Sequence, residues 1–411
     1  MTLFEKGPGF KHGLKDFAHD VSFASASAAL VGAILSFTLM ISVYAMAEAG
    51  GVLVSDADKF LVGLILSCGI LGIIVGFYYR KPMAICASMT GCAVWFMVAG
   101  QYSIAEAAAG SVASGILLLI LAATGLMNKV VKLLPTSVVM GMVGGAFLSL
   151  SMNAVKPLGS EPVLGILALA VFFLCKKFLH KFPAVLAVLI IGVGYYIATG
   201  FAMPAFAPQF MAPRIILPAF TRNFPQVFLS LTIPLTALVL GAENAQAYGA
   251  LRAENYDPSL NTMTAVSGVG GVLGGFFAQC NCNMAGPVTA ICASPEAGKR
   301  EGRWTASVLF GLIWTLVAPF YPSLVAFFTG FPSVFVYLVT GLAMLGVFQG
   351  AVKDAFADPK HCTSAVFALL TAGSGIKILG VGAPFWALVV GDLVYWGFEN
   401  LSAGKAGKET D

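Results

Sequence analysis

A chain of 411 residues that is 58% hydrophobic and only 10% charged cannot cover soluble globules of that size with polar surface. Mean hydropathy of +0.89 is spread along nearly the whole sequence, so most soluble enzymes and nucleic-acid binders are excluded and the chain is expected in lipid. The net charge of +4 says less than which loops hold the Lys and Arg.

The first residues, MTLFEKGPGFKHGLKDFAHD, are polar and lack an apolar core or cleavage site, so residues 1–21 read as a cytoplasmic tail and no removable signal peptide is expected. A crossing needs about 20 apolar residues to traverse roughly 30 Å of hydrocarbon. Apolar runs between charges and Pro/Gly breaks predict about fourteen crossings: 22–48, 59–78, 82–100, 104–127, 136–155, 161–176, 183–201, 225–249, 259–279, 280–297, 304–327, 332–350, 362–377 and 380–402. The eight Cys fall almost entirely inside these runs, where a free thiol behaves as a small hydrophobe, and no disulfide framework is implied. GVGGVLGG at 268–275 gives span nine a smooth face for close helix packing, and no Lys-Ser/Thr follows to make it a phosphate loop. Residues 403–411 read as a second cytoplasmic tail.

The basic residues test this count. With the N-terminus inside and every run crossing, eighteen of the 23 Lys and Arg fall on the inner side and five on the outer, the asymmetry that cytoplasmic flanks show. An even number of spans with both termini cytoplasmic follows. Pro204, Pro208, Pro213, Pro218 and Pro225 forbid a continuous helix near the midpoint, so 202–224 reads as an outer linker between a first repeat, 22–201, and a second, 225–402. Seven spans per half is odd, so the second half has the opposite orientation: the plan is an inverted repeat, common among secondary transporters.

Spans three (KPMAICASMTGCAVWFMVAG) and ten (CNCNMAGPVTAICASPEAG) are too interrupted for simple rods, and each is third in its half. In span three, Arg80-Lys81-Pro82 opens an extended segment, and Ser88 and Thr90 sit where a helix can begin. In span ten, Gln279, Asn281 and Asn283 alternate with cysteines at the period of a strand, before Gly286-Pro287 starts a helix. Extended backbone at membrane depth survives only when buried in protein or facing a wet cavity. The two segments are therefore expected to pair at mid-membrane, with both half-helix N-termini aimed at one spot suited to a carboxylate. The alternative is two short packing helices with incidental Asn.

Span eight places Glu243 deep in an apolar run, flanked by Asn244 and Gln246. An ionised carboxylate there costs several kcal/mol unless partnered, which makes Glu243 a candidate proton carrier rather than a helix-end acid snorkelling to headgroups. Asp392, beside Tyr395 and Trp396, is a second candidate or an interfacial residue; Glu48 and Glu106 read as ordinary solvated acids near span ends. His12, His19, His180 and His361 lie in polar flanks, and the Cys280-x-Cys282 pair has no partner cluster for a metal, so no cofactor is expected.

GAENAQAYGALRAENYDPSLN (241–261), TAICASPEAGKREGRW (289–304) and GAPFWALVVGDLVYW (382–396) resemble the benzoate/H+ symporter family, often called BenE, and the similarity extends over nearly the whole chain. The resemblance implies an all-α polytopic fold like that of nucleobase and sulfate permeases. In that fold fourteen segments form two inverted seven-span repeats, and a core of spans 1–4 and 8–11 moves against a gate of spans 5–7 and 12–14. Substrate then lies between the half-helices of spans three and ten, touching Ser88, Met89 and Thr90 on one side and Asn283, Ala285 and Gly286 on the other. Ala-Glu-Asn at 242–244 is similar to the acidic motif of nucleobase permeases, which puts Glu243, with Asn244 beside it, at the substrate and proton site. The second acid that those permeases have at the start of span ten is replaced here by Asn283-Met284, which favours an organic anion over a nucleobase. The expectation is a transporter rather than an enzyme, coupling protons to an aromatic carboxylate such as benzoate in a bacterial inner membrane. Its partners are the anion, protons and the bilayer, with no nucleic acid and with a homodimer as the assembly left open. A nucleobase or inorganic-anion carrier and an anion channel are the rivals.

Overall fold

The computed structural model describes residues 4–40, 43, 46–47, 54–126, 133–179, 184–277, 280–379 and 381–400; the expected C-terminal tail, Glu48, His180 and Gln279 lie outside them. The first half contains α1 (Phe10–Asp20), α2 (Phe23–Met40), α3 (Val54–Tyr79), β1 (Ile85–Ala87), α4 (Met89–Ala99), α5 (Ile104–Thr124), α6 (Thr136–Met152), α7 (Pro162–Phe178) and α8 (Ala184–Ala198). The second contains α9 (Phe224–Ala253), α10 (Leu260–Phe276), β2 (Cys282–Met284), α11 (Gly286–Ala293), α12 (Arg300–Thr329), α13 (Ser333–Ala355), α14 (Cys362–Gly373), the hairpin β3 (Lys377–Ile378) and β4 (Val381–Gly382), and α15 (Ala383–Val394).

The chain is a predominantly helical, multi-pass membrane protein. Among the described residues six helices are long and apolar enough to cross a bilayer, and the bent pair of α1 and α2, turned by 105°, would make a seventh. The remaining expected crossings are shorter, such as the 17-residue α7, the 15-residue α8 and the 12-residue α14. The reason lies in local chemistry: Pro162 sets the start of α7, and Gly373 and Gly375 end α14 before the hairpin. Residues 201–220 form neither helix nor strand, as their prolines dictate.

Two findings concern polar residues at span ends. The tail expected over 1–21 is helical over Phe10–Asp20 and docks on the end of α3: Arg80 pairs with Asp16 at 2.8 Å and with Asp20 at 2.9 Å, and the Trp304 indole donates to Asp20 at 2.9 Å. Glu106 is buried rather than solvated. It closes a capping box with Ser103 and accepts from Thr221 and, at 3.0 Å, from the Asn223 amide, tying the linker between the halves to the start of α5. Glu106→Ala should cost about 1–2 kcal/mol, read as a lower Tm in detergent with the helix content unchanged.

The packing carries an internal symmetry. In the span numbering expected from the sequence, α3 is second and packs on α12, the eleventh; α5 is fourth and packs on α10, the ninth. Exchanging each span for the one seven further along converts one contact into the other. Both crossings are glycine against glycine: a side-chain carbon on Gly69 would lie 2.7 Å from the Gly311 carbonyl oxygen, and one on Gly115 would lie 2.7 Å from that of Gly268. Backbones approach this closely only where side chains are absent, which is the use expected for the 268–275 run.

Candidate functional site

The two interrupted spans meet inside the molecule. β1 and β2 pair antiparallel with Ile85 opposite Met284, Cys86 opposite Asn283 and Ala87 opposite Cys282. The Ser88 amide donates to the Asn281 carbonyl at 3.2 Å and the Ala285 amide to the Ala84 carbonyl at 3.0 Å, so the extended backbone satisfies itself across the two halves of the chain. Gly270 and Gly274 of α10 let β2 lie directly on that helix, since an added carbon at Gly270 would stand 1.8 Å from the Cys282 carbonyl oxygen. The Cys280 thiol comes to 2.9 Å from that of Cys92 in the same layer.

A half-helix leaves each strand. Ser88 is the N-cap of α4, accepting from the Gly91 amide at 2.7 Å, while α11 begins at Gly286-Pro287 with no side-chain cap. At its far end α11 is held by Arg303, which donates to the Ala293 carbonyl at 2.7 Å and pairs with Glu254 at 3.0 Å.

Glu243 arrives from α9 at a wide, π-helical turn, Val239–Glu243, which shifts the helix register where the acid faces the strands. Its carboxylate accepts from the hydroxyls of Ser88 and Thr90 on one oxygen and from the Asn283 amide on the other. The positive end of α4 is thus occupied by the protein's own anion, and the donors come from both interrupted spans.

Beside this cluster lies a cavity of about 460 Å³. Ser88, Met89, Thr90, Glu243, Asn283, Ala285 and Gly286 all line it, as do Gln246, Phe172 and Lys176. Asn244 does not. It turns into the interface with α10, where it accepts from Ser267 at 2.8 Å and faces Thr264 at 3.4 Å, because adjacent residues on a helix point about 100° apart. Asp392 is also outside the cavity; its Oδ1 is buried without a hydrogen-bond partner among the described residues. Gln246 follows Glu243 by three positions, so helical spacing alone marks it as sharing the acid's face. Phe172 and Lys176 carry no such signal, since α7 is distant in sequence.

Tyr102, Ser230 and Gly382 lie outside the cavity's lining and contact one another: the Tyr102 hydroxyl lies 3.1 Å from Ser230 Oγ, which accepts from the Gly382 amide at 3.0 Å.

The benzoate membrane transport protein family, BenE, matches residues 19–396. The chain belongs to this family. Relatives similar to it include the inner membrane protein YdcO of Escherichia coli, 25% identical over 86% of this chain and 90% of that protein. A benzoate membrane transport protein of Acinetobacter baylyi is 22% identical over 93% of this chain and 97% of its own length. Among solved structures, the transmembrane domain of the cyanobacterial bicarbonate transporter BicA matches with TM-score 0.63 at 15% identity, covering 90% of this chain and 98% of that one. The murine Slc26a9 anion transporter in its inward-facing state matches with TM-score 0.59 at 13% identity, over 92% of this chain and 69% of that one. These likenesses establish a shared fold, which fits inverted repeats. As a BenE member the chain is a membrane transporter.

Proposed function

We propose that the chain is a proton-coupled importer of an aromatic carboxylate such as benzoate, built as fourteen segments in two inverted repeats, in a bacterial inner membrane with both termini cytoplasmic. The observation that carries this reading is Glu243, held by donors from both interrupted spans at the edge of a largely apolar cavity. The relative named as a benzoate transport protein supports the choice of cargo.

The chemistry follows from charge. The apolar walls accept the ring, and the uncapped start of α11 offers free backbone N–H groups to the carboxylate. A second carboxylate cannot share so small a space with an ionised Glu243 without strong repulsion, so the anion enters with a proton on the acid. That proton is the coupled one, and the loaded site carries no more net charge than the empty site. Movement of spans 1–4 and 8–11 against spans 5–7 and 12–14 then breaks the Ser230–Gly382 contact and exposes the site to the other side.

An inorganic-anion carrier is the second reading, favoured by the bicarbonate and anion transporters among the structural neighbours, although a cavity of about 460 Å³ exceeds what a small inorganic anion fills. Labelled benzoate uptake into proteoliposomes under an inward proton gradient separates the two. Concentrative uptake displaced by unlabelled benzoate and not by sulfate, bicarbonate or uracil is expected. Displacement by the inorganic anions transfers the proposal to them, and flux that never exceeds equilibrium makes the protein a channel.

A further inference from the structure

We propose that Lys176, with the Phe172 ring beneath it, forms a second anion position at the open end of the cavity, where an aromatic carboxylate rests between the Glu243 site and the cytoplasm. The proposal rests on reading the cavity as the path of an organic anion.

Among the described residues that line the cavity, only Glu243 and Lys176 carry charge. They stand on different helices, α9 and α7, and Lys176 is exposed where Glu243 is half-buried, which puts the lysine nearer the cavity's mouth. Lys176 lies in the last turn of α7 and Phe172 one turn earlier, with Nζ 4.9 Å from the ring centroid. That ring is fixed: Phe172 is 2% exposed, packed in a cluster with Leu164, Val188 and Phe335. Cation–π attraction therefore holds the ammonium over the cavity wall instead of letting it range through solvent. Among the described residues no carboxylate forms an ion pair with Lys176. Its neighbour Lys177 leans over Phe178 at 5.4 Å and does not line the cavity, so the two lysines have equal charge and unequal placement.

A cation at the mouth and an acid at the inner end set a potential along walls that are otherwise uncharged, and low-dielectric walls focus it. With Glu243 ionised, an anion is pushed toward Lys176. With Glu243 protonated, the anion moves inward to the start of α11. The amphipathic pair of ammonium and ring matches a carboxylate joined to an aromatic body.

The test uses exchange of labelled benzoate across proteoliposomes at equal pH, which needs no proton gradient and is blind to coupling. Lys176→Gln is expected to raise the apparent KM at the cavity's open face by roughly fivefold and to leave that at the opposite face unchanged. Lys177→Gln should change neither, and Lys176→Arg should stay near wild type. An unchanged KM in Lys176→Gln, an equal rise at both faces, or the same effect in Lys177→Gln overturns the proposal. Wild-type protein that exchanges bicarbonate or sulfate and not benzoate removes the aromatic cargo, and the same comparison on that anion then decides Lys176 separately. Exchange of none of the three overturns both.

Discussion

Glu243→Gln is expected to reduce proton-driven accumulation to the equilibrium ratio of about 1, from roughly tenfold per pH unit of gradient in a one-to-one symporter, since 1.4 kcal/mol is a factor of ten. Exchange of benzoate across the membrane should persist. The glutamine carbonyl still accepts from Ser88 and Thr90, and the Asn283 amide can turn to accept from the new NH2, so the strand pairing keeps its polar partners. What is lost is the ability to exchange a proton. Asp392→Asn, outside the cavity, is the companion: it should accumulate benzoate like wild type. Undiminished accumulation by the Glu243 variant would remove this residue from coupling, and loss of accumulation in the Asp392 variant would assign the proton to α15.

The second large effect concerns architecture. Gly270→Val places a branched side chain where even one carbon would meet the Cys282 carbonyl oxygen at 1.8 Å, and that carbonyl belongs to a strand pinned on its other side by β1. Backbone cannot yield as a flexible side chain does, so a loss of about 3 kcal/mol is expected, at the upper end of overpacking costs. It would be read as a lower Tm and a poor yield of monodisperse protein. Gly249→Ala, where an added carbon meets nothing within 4 Å, should be neutral and controls for glycine loss in general. Equal melting of the Gly270 variant and wild type would mean that β2 does not lie on α10.

Much of this site is legible without coordinates because the bilayer leaves few solutions. Extended segments bearing Ser88 and Asn283 cannot exist singly in hydrocarbon, so their presence at matching places in two halves implies their pairing. Glu243 is legible for the same reason, as a charge in an apolar run. What the pattern conceals is direction. Asn244 adjoins Glu243 in the chain, yet helix rotation turns it to Ser267, while Gln246, three positions on, keeps the acid's face and lines the cavity. Length is concealed too: hydropathy marks 362–377 as one apolar stretch but does not say that α14 ends at Gly373 after 12 residues. Glu106 misleads because Thr221 and Asn223, which donate to it, lie more than a hundred residues away, and one-dimensional spacing cannot see a carboxylate hydrogen-bonded from such a distance. Phe172 and Lys176 belong to the same class.

The β1–β2 ladder has a bearing on how the chain is made. Its two strands come from opposite halves and nearly two hundred residues separate them, so the ribosome finishes one long before the other exists. Until Cys282–Met284 is synthesised, the amides and carbonyls of Ile85–Ala87 have no protein partner, at several kcal/mol for each group left bare in lipid. The early segment must therefore wait in water, at the membrane surface or within the insertion machinery, and its burial is the step that joins the two halves of the nascent polypeptide into one transporter.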